Sequence, residues 1–203
     1  FHSDKKRMQV GLRYTADGSE NRNDMIVYFS SFATERPDRG GDRDTPIGLL
    51  MNVTLNMADS RGEIRLTSTD ITEQPKIDFN YFAAPWDLTR MRDGVRKMAE
   101  LAAGPEFQDI IVDRAYPTDD SLTNDPALDE WIRRDVTTGH HISGSNKMGA
   151  DSDPMAVVDQ YGRVRGVVGL RVIDASIMPT CVRANINATV IAKAERMAEL
   201  ITA

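Results

Sequence analysis

The chain has 203 residues, a formal net charge of -6, 40% hydrophobic and 28% charged residues, and a single cysteine. That is an ordinary globular balance, long enough to bury one core, or one core plus a segment that belongs elsewhere. The negative charge argues against nucleic acid or an anionic membrane surface as partner, and no apolar run approaches the ~18 residues of a membrane span. Cys181 cannot staple the chain to itself, which fits a reducing compartment, and a cytoplasmic location is expected. No signal-peptide pattern is present. The chain opens on Phe1, with an extended pattern beginning within a few residues, so it is expected to be a piece of something longer.

Met8–Thr15 alternates Met8, Val10, Leu12 and Tyr14 with Gln9, Gly11, Arg13 and Thr15, the period of a strand. Turn residues Asp17, Gly18, Asn21 and Asn23 lead to Met25–Phe32, an almost continuous apolar run suited to a more buried strand. The segment Glu35–Pro46 mixes arginine with aspartate and reads as a solvated loop. Ile47–Met57 puts Met51, Val53, Leu55 and Met57 on one face and Asn52, Thr54 and Asn56 on the other. Asp59 to Gly62 turns the chain into Glu63–Thr67, and Lys76–Phe79 is a further short strand. Consecutive strands with short connections predict an antiparallel sheet.

The period then changes. Met91, Val95, Met98 and Ala102 fall at helical spacing between Pro85 and Ala103, and Gly104-Pro105 stops the helix. Asp125-Pro126 reads as a capping aspartate with proline at the first helical position, opening a helix that ends near Val136. Val157–Asp159, Arg163–Arg165 and Leu170–Ile173 read as short strands. A last helix runs from about Asn187 to Ile201, with Asn185 and Asn187 where caps are favoured.

The densest chemistry lies in Thr137–Gly149, which holds two of the three histidines side by side. Adjacent histidines on irregular backbone cannot both face one site, and His141 is taken as the one that does. Three histidines, the third at His2, offer no metal-ligand spacing. Ser143 and Ser145 stand nearby without a G-x-S-x-G elbow, which weakens a hydrolase reading. Gly162, Gly166 and Gly169 do not form G-x-G-x-x-G, so the chain lacks a dinucleotide fingerprint of its own. On residue type alone, His141 is a structural histidine about as often as a catalytic one.

The run His141-Ile-Ser-Gly-Ser-Asn-Lys-Met-Gly149 resembles the H-P-x-G-T-x-x-M-G segment of the GMC (glucose–methanol–choline) oxidoreductases. Gly162-Arg-Val-Arg-Gly166, Gly169-Leu-Arg-Val-Ile-Asp-Ala-Ser-Ile-Met-Pro179 and Asn185-Ile-Asn-Ala-Thr189 follow in the family's order. Ser60–Ser68 and Pro75–Tyr81 are similar to its substrate-domain sheet, so the likeness runs along essentially the whole chain. Ile142 replaces the usual proline, Ser145 a threonine, and Thr189 stands where many members have proline. None of these changes removes a chemically required group.

The resemblance implies an α+β fold: one antiparallel sheet of five or six strands with helices on one face. Residues 1–149 would form the substrate domain and 150–203 a segment completing an FAD domain whose glycine-rich half is absent here. It implies FAD as cofactor and oxidation of an alcohol to an aldehyde or ketone, with hydride passing to the flavin N5. His141 and Asn185 match the family's base pair: a neutral imidazole, of ordinary pKa ~6.5, can accept the hydroxyl proton while an amide holds the same oxygen. The backbone of Asp174 and Ala175 would touch the ribityl–pyrophosphate part of FAD. Asn187, Ala188 and Thr189 would approach the pyrimidine end of the flavin, where a helix N-terminus stabilises negative charge. Implied partners are a small alcohol, the FAD-binding N-terminal half of the same protein, and an electron acceptor such as oxygen or a quinone. A redox-inactive fragment, or a lyase or hydrolase using His141, are the alternatives. His140 is left as a bystander and Cys181 as an inert small side chain.

Overall fold

The computed structural model describes residues 8–34, 46–183 and 185–202. His2 and most of the charged loop Glu35–Pro46 lie outside the described residues. The chain divides into two compact units that alternate along the sequence, Phe1–Leu55 with Ala84–Asp135, and Asn56–Ala83 with Val136–Ala203.

In the first unit, β1 (Met8–Tyr14), β2 (Met25–Thr34) and β3 (Pro46–Leu55) form an antiparallel sheet with β2 in the centre. Residues opposite one another in a ladder share a face. Met25 pairs with Tyr14 and Leu55, and Val27 pairs with Leu12 and Val53. These six therefore make one apolar face, whose centre at Met25 and Val27 is fully buried. Helix α1 (Pro85–Ala102) lies on that face, opened by Pro85, which fits the first turn because its missing N–H has no helical partner there. Gly94 permits the close approach: a Cβ at this position would stand 2.7 Å from Val53 Cγ2 and 3.0 Å from both Met25 Cε and Tyr14 Oη.

A buried charge network fastens the β1–β2 connection to α1. Arg90 meets Asp24 at 2.8 Å and Asp87 at 2.6 Å, and all three side chains are almost wholly removed from solvent. Asp24 also accepts from the backbone N–H of Ala16 at 2.9 Å and from Ser19 Oγ at 2.7 Å. Burial by itself would raise the Asp24 pKa, but the hydrogen bonds from Ser19, Ala16 and Arg90 outweigh it and hold the carboxyl below its ordinary value. Beside it, burial and then the carboxylates Asp24, Asp93 and Asp17 push the Tyr14 phenol up to about 12.

Two short helices complete this unit. Helix α2 (Asp119–Thr123) is capped by Thr118, whose side chain accepts from the Ser121 N–H. Helix α3 (Asp125–Asp135) packs Leu128 and Ile132 inward and is tied to α1 by Arg92–Asp129 at 3.0 Å and Arg96–Asp125 at 2.5 Å. The cap of α3 is Asn124 and not Asp125. Asn124 O accepts from Leu128 N at 2.9 Å, and its Oδ1 accepts from Ala127 N at 3.1 Å. Asp125 is thereby left in the first turn to pair with the α1 arginines, and Pro126 falls one position later than expected.

In the second unit, β4 (Glu63–Arg65) and β5 (Lys76–Asp78) form a two-stranded antiparallel sheet with Ile64 opposite Ile77. The expected single sheet of five or six strands is thus, among the described residues, one sheet of three and another of two. The second ladder is cut short because Thr67 Oγ1 bonds Gln74 O at 3.3 Å while Asp70 accepts from Thr72 N at 2.9 Å, closing a loop where pairing would continue.

The strands expected at 157–159, 163–165 and 170–173 are reduced to isolated bridges, Met148 with Val158, Val158 with Val164, and Arg163 with Arg171. Gly162, Gly166 and Gly169, at φ of +69°, +76° and +80°, reverse the chain before a ladder can extend. The apolar residues of these segments instead pack a small core of Val158, Ile177 and Met197, the last carried by α4 (Asn187–Thr202). No helix among the described residues is long and apolar enough to cross a membrane.

Candidate active site

The histidine stretch leaves α3 as irregular backbone. His140 takes φ of +60°, uncommon for a residue with a side chain, and its N–H donates to Thr138 Oγ1 at 3.0 Å. That local reversal leaves His140 exposed and His141 half-buried. The Cys181 sulfur lies 3.8 Å from the backbone oxygen of His141 and 3.5 Å from that of Val182, two acceptors for its one hydrogen. Cys181 stands four residues before Asn185, so the two segments expected to carry the pair are joined at this contact.

Beyond His141 the chain runs alongside the segment 175–177. Gly144 N bonds Ala175 O at 3.4 Å, Asn146 N bonds Ser176 O at 3.0 Å, and Met148 N bonds Ile177 O at 3.0 Å. Two ion pairs brace the far end. Lys147 meets Asp153 at 2.7 Å and holds that carboxyl below its ordinary value, while Arg165 joins Asp151 at 2.5 Å and the oxygen of Gly149 at 2.8 Å.

Asp174 caps the short 3-10 turn Ala175–Ile177. Its carboxylate accepts from Ser176 N at 2.8 Å and from the Ser176 hydroxyl. The side chain is thereby turned onto its own loop, and the carbonyl oxygens of Asp174 and Ala175 accept from Ile177 N at 3.4 Å and Met178 N at 3.2 Å. Ser176 also receives Asn146 Nδ2 at 3.0 Å. Neither Ser176 nor Asn146 was singled out from the sequence; their meeting across 30 positions has no local signature.

Asn185 is exposed and is not the cap of α4. Ile186 O accepts the first helical bond, from Val190 N at 2.9 Å, so Ile186 holds the cap position and Asn185 precedes it. Asn187, Ala188 and Thr189 form the first turn, which contains no acidic side chain. Met148, from the histidine stretch, and Thr189 border one groove of about 250 Å³ that Ala192, Lys193, Arg196 and Met197 complete. Burial depresses the Lys193 pKa there.

Residues 58–194 match the family model of the GMC oxidoreductases. The chain belongs to this family. An oxygen-dependent choline dehydrogenase of Vibrio vulnificus is 40% identical over 154 residues, covering 76% of this chain and 27% of that protein. Choline oxidase of Arthrobacter globiformis is 35% identical over 196 residues, covering 95% of this chain and 36% of that protein. The chain therefore spans about a quarter to a third of the length of these curated relatives. Among solved structures, a formate oxidase superposes with a TM-score of 0.73 at 27% identity, covering 89% of this chain and 31% of that one. Pyridoxine 4-oxidase of Mesorbium loti reaches 0.79 at 23% identity, a likeness of fold, covering 96% of this chain and 38% of that one.

Membership of this family, with a formate oxidase structure of Aspergillus oryzae RIB40 concerned with FAD modification, indicates FAD as the cofactor. The residues fit such a group. The positive end of the 16-residue helix α4 is not offset by any acid in its first turn, which suits an anionic ligand. The Asp174 carboxylate is engaged by the N–H and hydroxyl of Ser176.

Proposed function

We propose that this chain is the substrate-binding and base-carrying part of an FAD-dependent oxidoreductase that converts the CH–OH group of an alcohol to an aldehyde or ketone. His141 is the base, and Asn185 holds the alcohol oxygen. The observation that supports this most is the Cys181–His141 contact, which joins the two segments while the end of α4 is capped by neither asparagine.

Bound FAD supplies the hydride acceptor. This chain contributes an imidazole that takes the hydroxyl proton and an amide that fixes the oxygen without competing for that proton. Orienting the substrate carbon is the larger part of its work, since position alone can supply several kcal/mol of a barrier. Asp174 and Ala175, by their main-chain groups, and Asn187, Ala188 and Thr189, by the first turn of α4, are the cofactor contacts. Residues 1–149 serve the substrate and 150–203 complete the FAD site together with the N-terminal half of the same protein. That division by role crosses the second compact unit, which holds both the base and the cofactor contacts.

Choline is the first substrate to test, because relatives at 35–46% identity are choline dehydrogenases and a choline oxidase. Oxygen is the first acceptor, and the single half-buried thiol suits action in the cytoplasm. The complete protein, offered choline and a panel of aliphatic and aromatic alcohols under oxygen and under a dye acceptor, should consume acceptor in proportion to aldehyde or ketone formed. Consumption of the alcohol to a product of the same oxidation level, with no acceptor consumed, would make the reaction a non-redox one.

A further inference from the structure

We propose that Asn146 is a positioning residue for His141, acting as the donor end of a relay that runs from Asn146 through Ser176 to Asp174. What is positioned rests on the alcohol-oxidation reading above; how it is positioned rests on the geometry of this chain.

Asn146 Nδ2 donates to Ser176 Oγ at 3.0 Å, and the Ser176 hydroxyl donates to Asp174 Oδ1. A serine hydroxyl has one hydrogen, and a carboxylate only accepts. Once the hydrogen of Ser176 is given to Asp174, its oxygen can only accept, and Asn146 must present its NH2 group. The order of donors is therefore set from the Asp174 end. Oδ1 of Asp174 also receives the Ser176 N–H at 2.8 Å, so the acceptor is held in place by the turn that it caps.

The same two residues are joined through the main chain, where Asn146 N bonds Ser176 O at 3.0 Å. The neighbouring bond closer to His141, from Gly144 N to Ala175 O, is longer at 3.4 Å, and Gly144 itself sits at φ of +84°. A two-point attachment at Asn146 is thus the firm anchor nearest to the base on its C-terminal side. It fastens the base loop to the same turn that offers Asp174 and Ala175 to the cofactor. Base and cofactor contact are held in one frame by a side chain that need touch neither substrate nor FAD.

A packing role and a directional relay differ in what they expect of an isosteric change. Asn146→Asp keeps the shape but exchanges the donor for a second acceptor, leaving two carboxylates to compete for the one hydrogen of Ser176. Asn146→Ala only deletes a link. In the complete protein, both variants would be measured for bound FAD per chain, the visible-region circular dichroism of that FAD, and the anaerobic rate of flavin reduction over a range of alcohol concentrations. The expected result is FAD content within about twofold of wild type, and for Asn146→Ala a limiting rate lower by about tenfold at a little-changed half-saturating concentration, the signature of misplacement. Asn146→Asp should fall below Asn146→Ala in rate and show the larger change in the FAD dichroism. Asn146→Asp behaving as wild type, Asn146→Ala leaving the limiting rate unchanged, or FAD lost from both variants would each overturn the proposal. If the wild-type protein is not reduced by any alcohol, the alcohol-oxidation reading fails, while the dichroism ordering of the variants still decides the relay.

Discussion

The thiol of Cys181 meets the backbone oxygen of His141 at 3.8 Å, closing a span of 40 positions, and shares its one hydrogen between that oxygen and Val182 O at 3.5 Å. A thiol is a weak donor, so the contact contributes through placement more than through energy. It brings the loop carrying the proposed base to the segment that runs on to Asn185 and α4. Cys181→Ala should therefore lower alcohol-dependent flavin reduction by only a few-fold, about 1 kcal/mol or less, with FAD content unchanged. Stopped-flow reduction of the complete protein measures this, and loss of all activity would give the thiol a chemical role that this geometry does not.

Asn185 precedes the cap of α4, which separates its two possible roles experimentally. Asn185→Ala is expected to cost about 2–4 kcal/mol of transition-state stabilisation, the scale of one positioned hydrogen bond in an active site. Thermal unfolding should be left nearly unchanged. A fall in stability of about 1 kcal/mol, the size of a lost helix cap, with activity intact would assign the residue to α4 instead.

The network of Arg90 with Asp24 and Asp87 controls stability in the first unit. Arg90→Met leaves buried carboxylates without their counter-charge and should destabilise by about 3–5 kcal/mol at neutral pH. The Asp24 pKa is lowered in the folded chain below its ordinary 3.8. Its contribution is therefore fully present above that value and is lost as the pH falls through the lower, folded one. Wild type should lose stability on acidification below about pH 4. The deficit of Arg90→Met should shrink over the same range, because protonation removes the stranded charge. Urea unfolding at pH 7 and pH 3 tests both statements; a deficit independent of pH would point to lost packing.

The parts of this fold that were legible in the sequence are those made by local periodicity. Met8 to Tyr14 alternates as a strand does, with Leu12 and Tyr14 on the face of Val27 and Met25, and Met91, Val95 and Met98 share a face because α1 covers a sheet. Helix α2 went unread because five residues are too few for a stripe, although Thr118 followed by two aspartates and Ser121 is a usable cap signal. Val157–Asp159, Arg163–Arg165 and Leu170–Ile173 looked like strands because each is short and carries β-branched apolar residues. The glycines between them turn these segments into a looped core around Val158 and Ile177. The site was legible as two motifs but not as a connected object. Asp24 with Arg90, Asn146 with Ser176 and His141 with Cys181 are meetings across 66, 30 and 40 positions, which no local pattern announces.

The most direct measurement is the bleaching of bound FAD by an oxidisable alcohol without oxygen, in the complete wild-type protein and in its His141→Ala variant at equal FAD content. Loss of a general base should slow the reduction by about 10²–10⁴-fold while leaving the flavin bound. Reduction of the variant at the wild-type rate would contradict the assignment of His141 as the base of an alcohol-oxidising site.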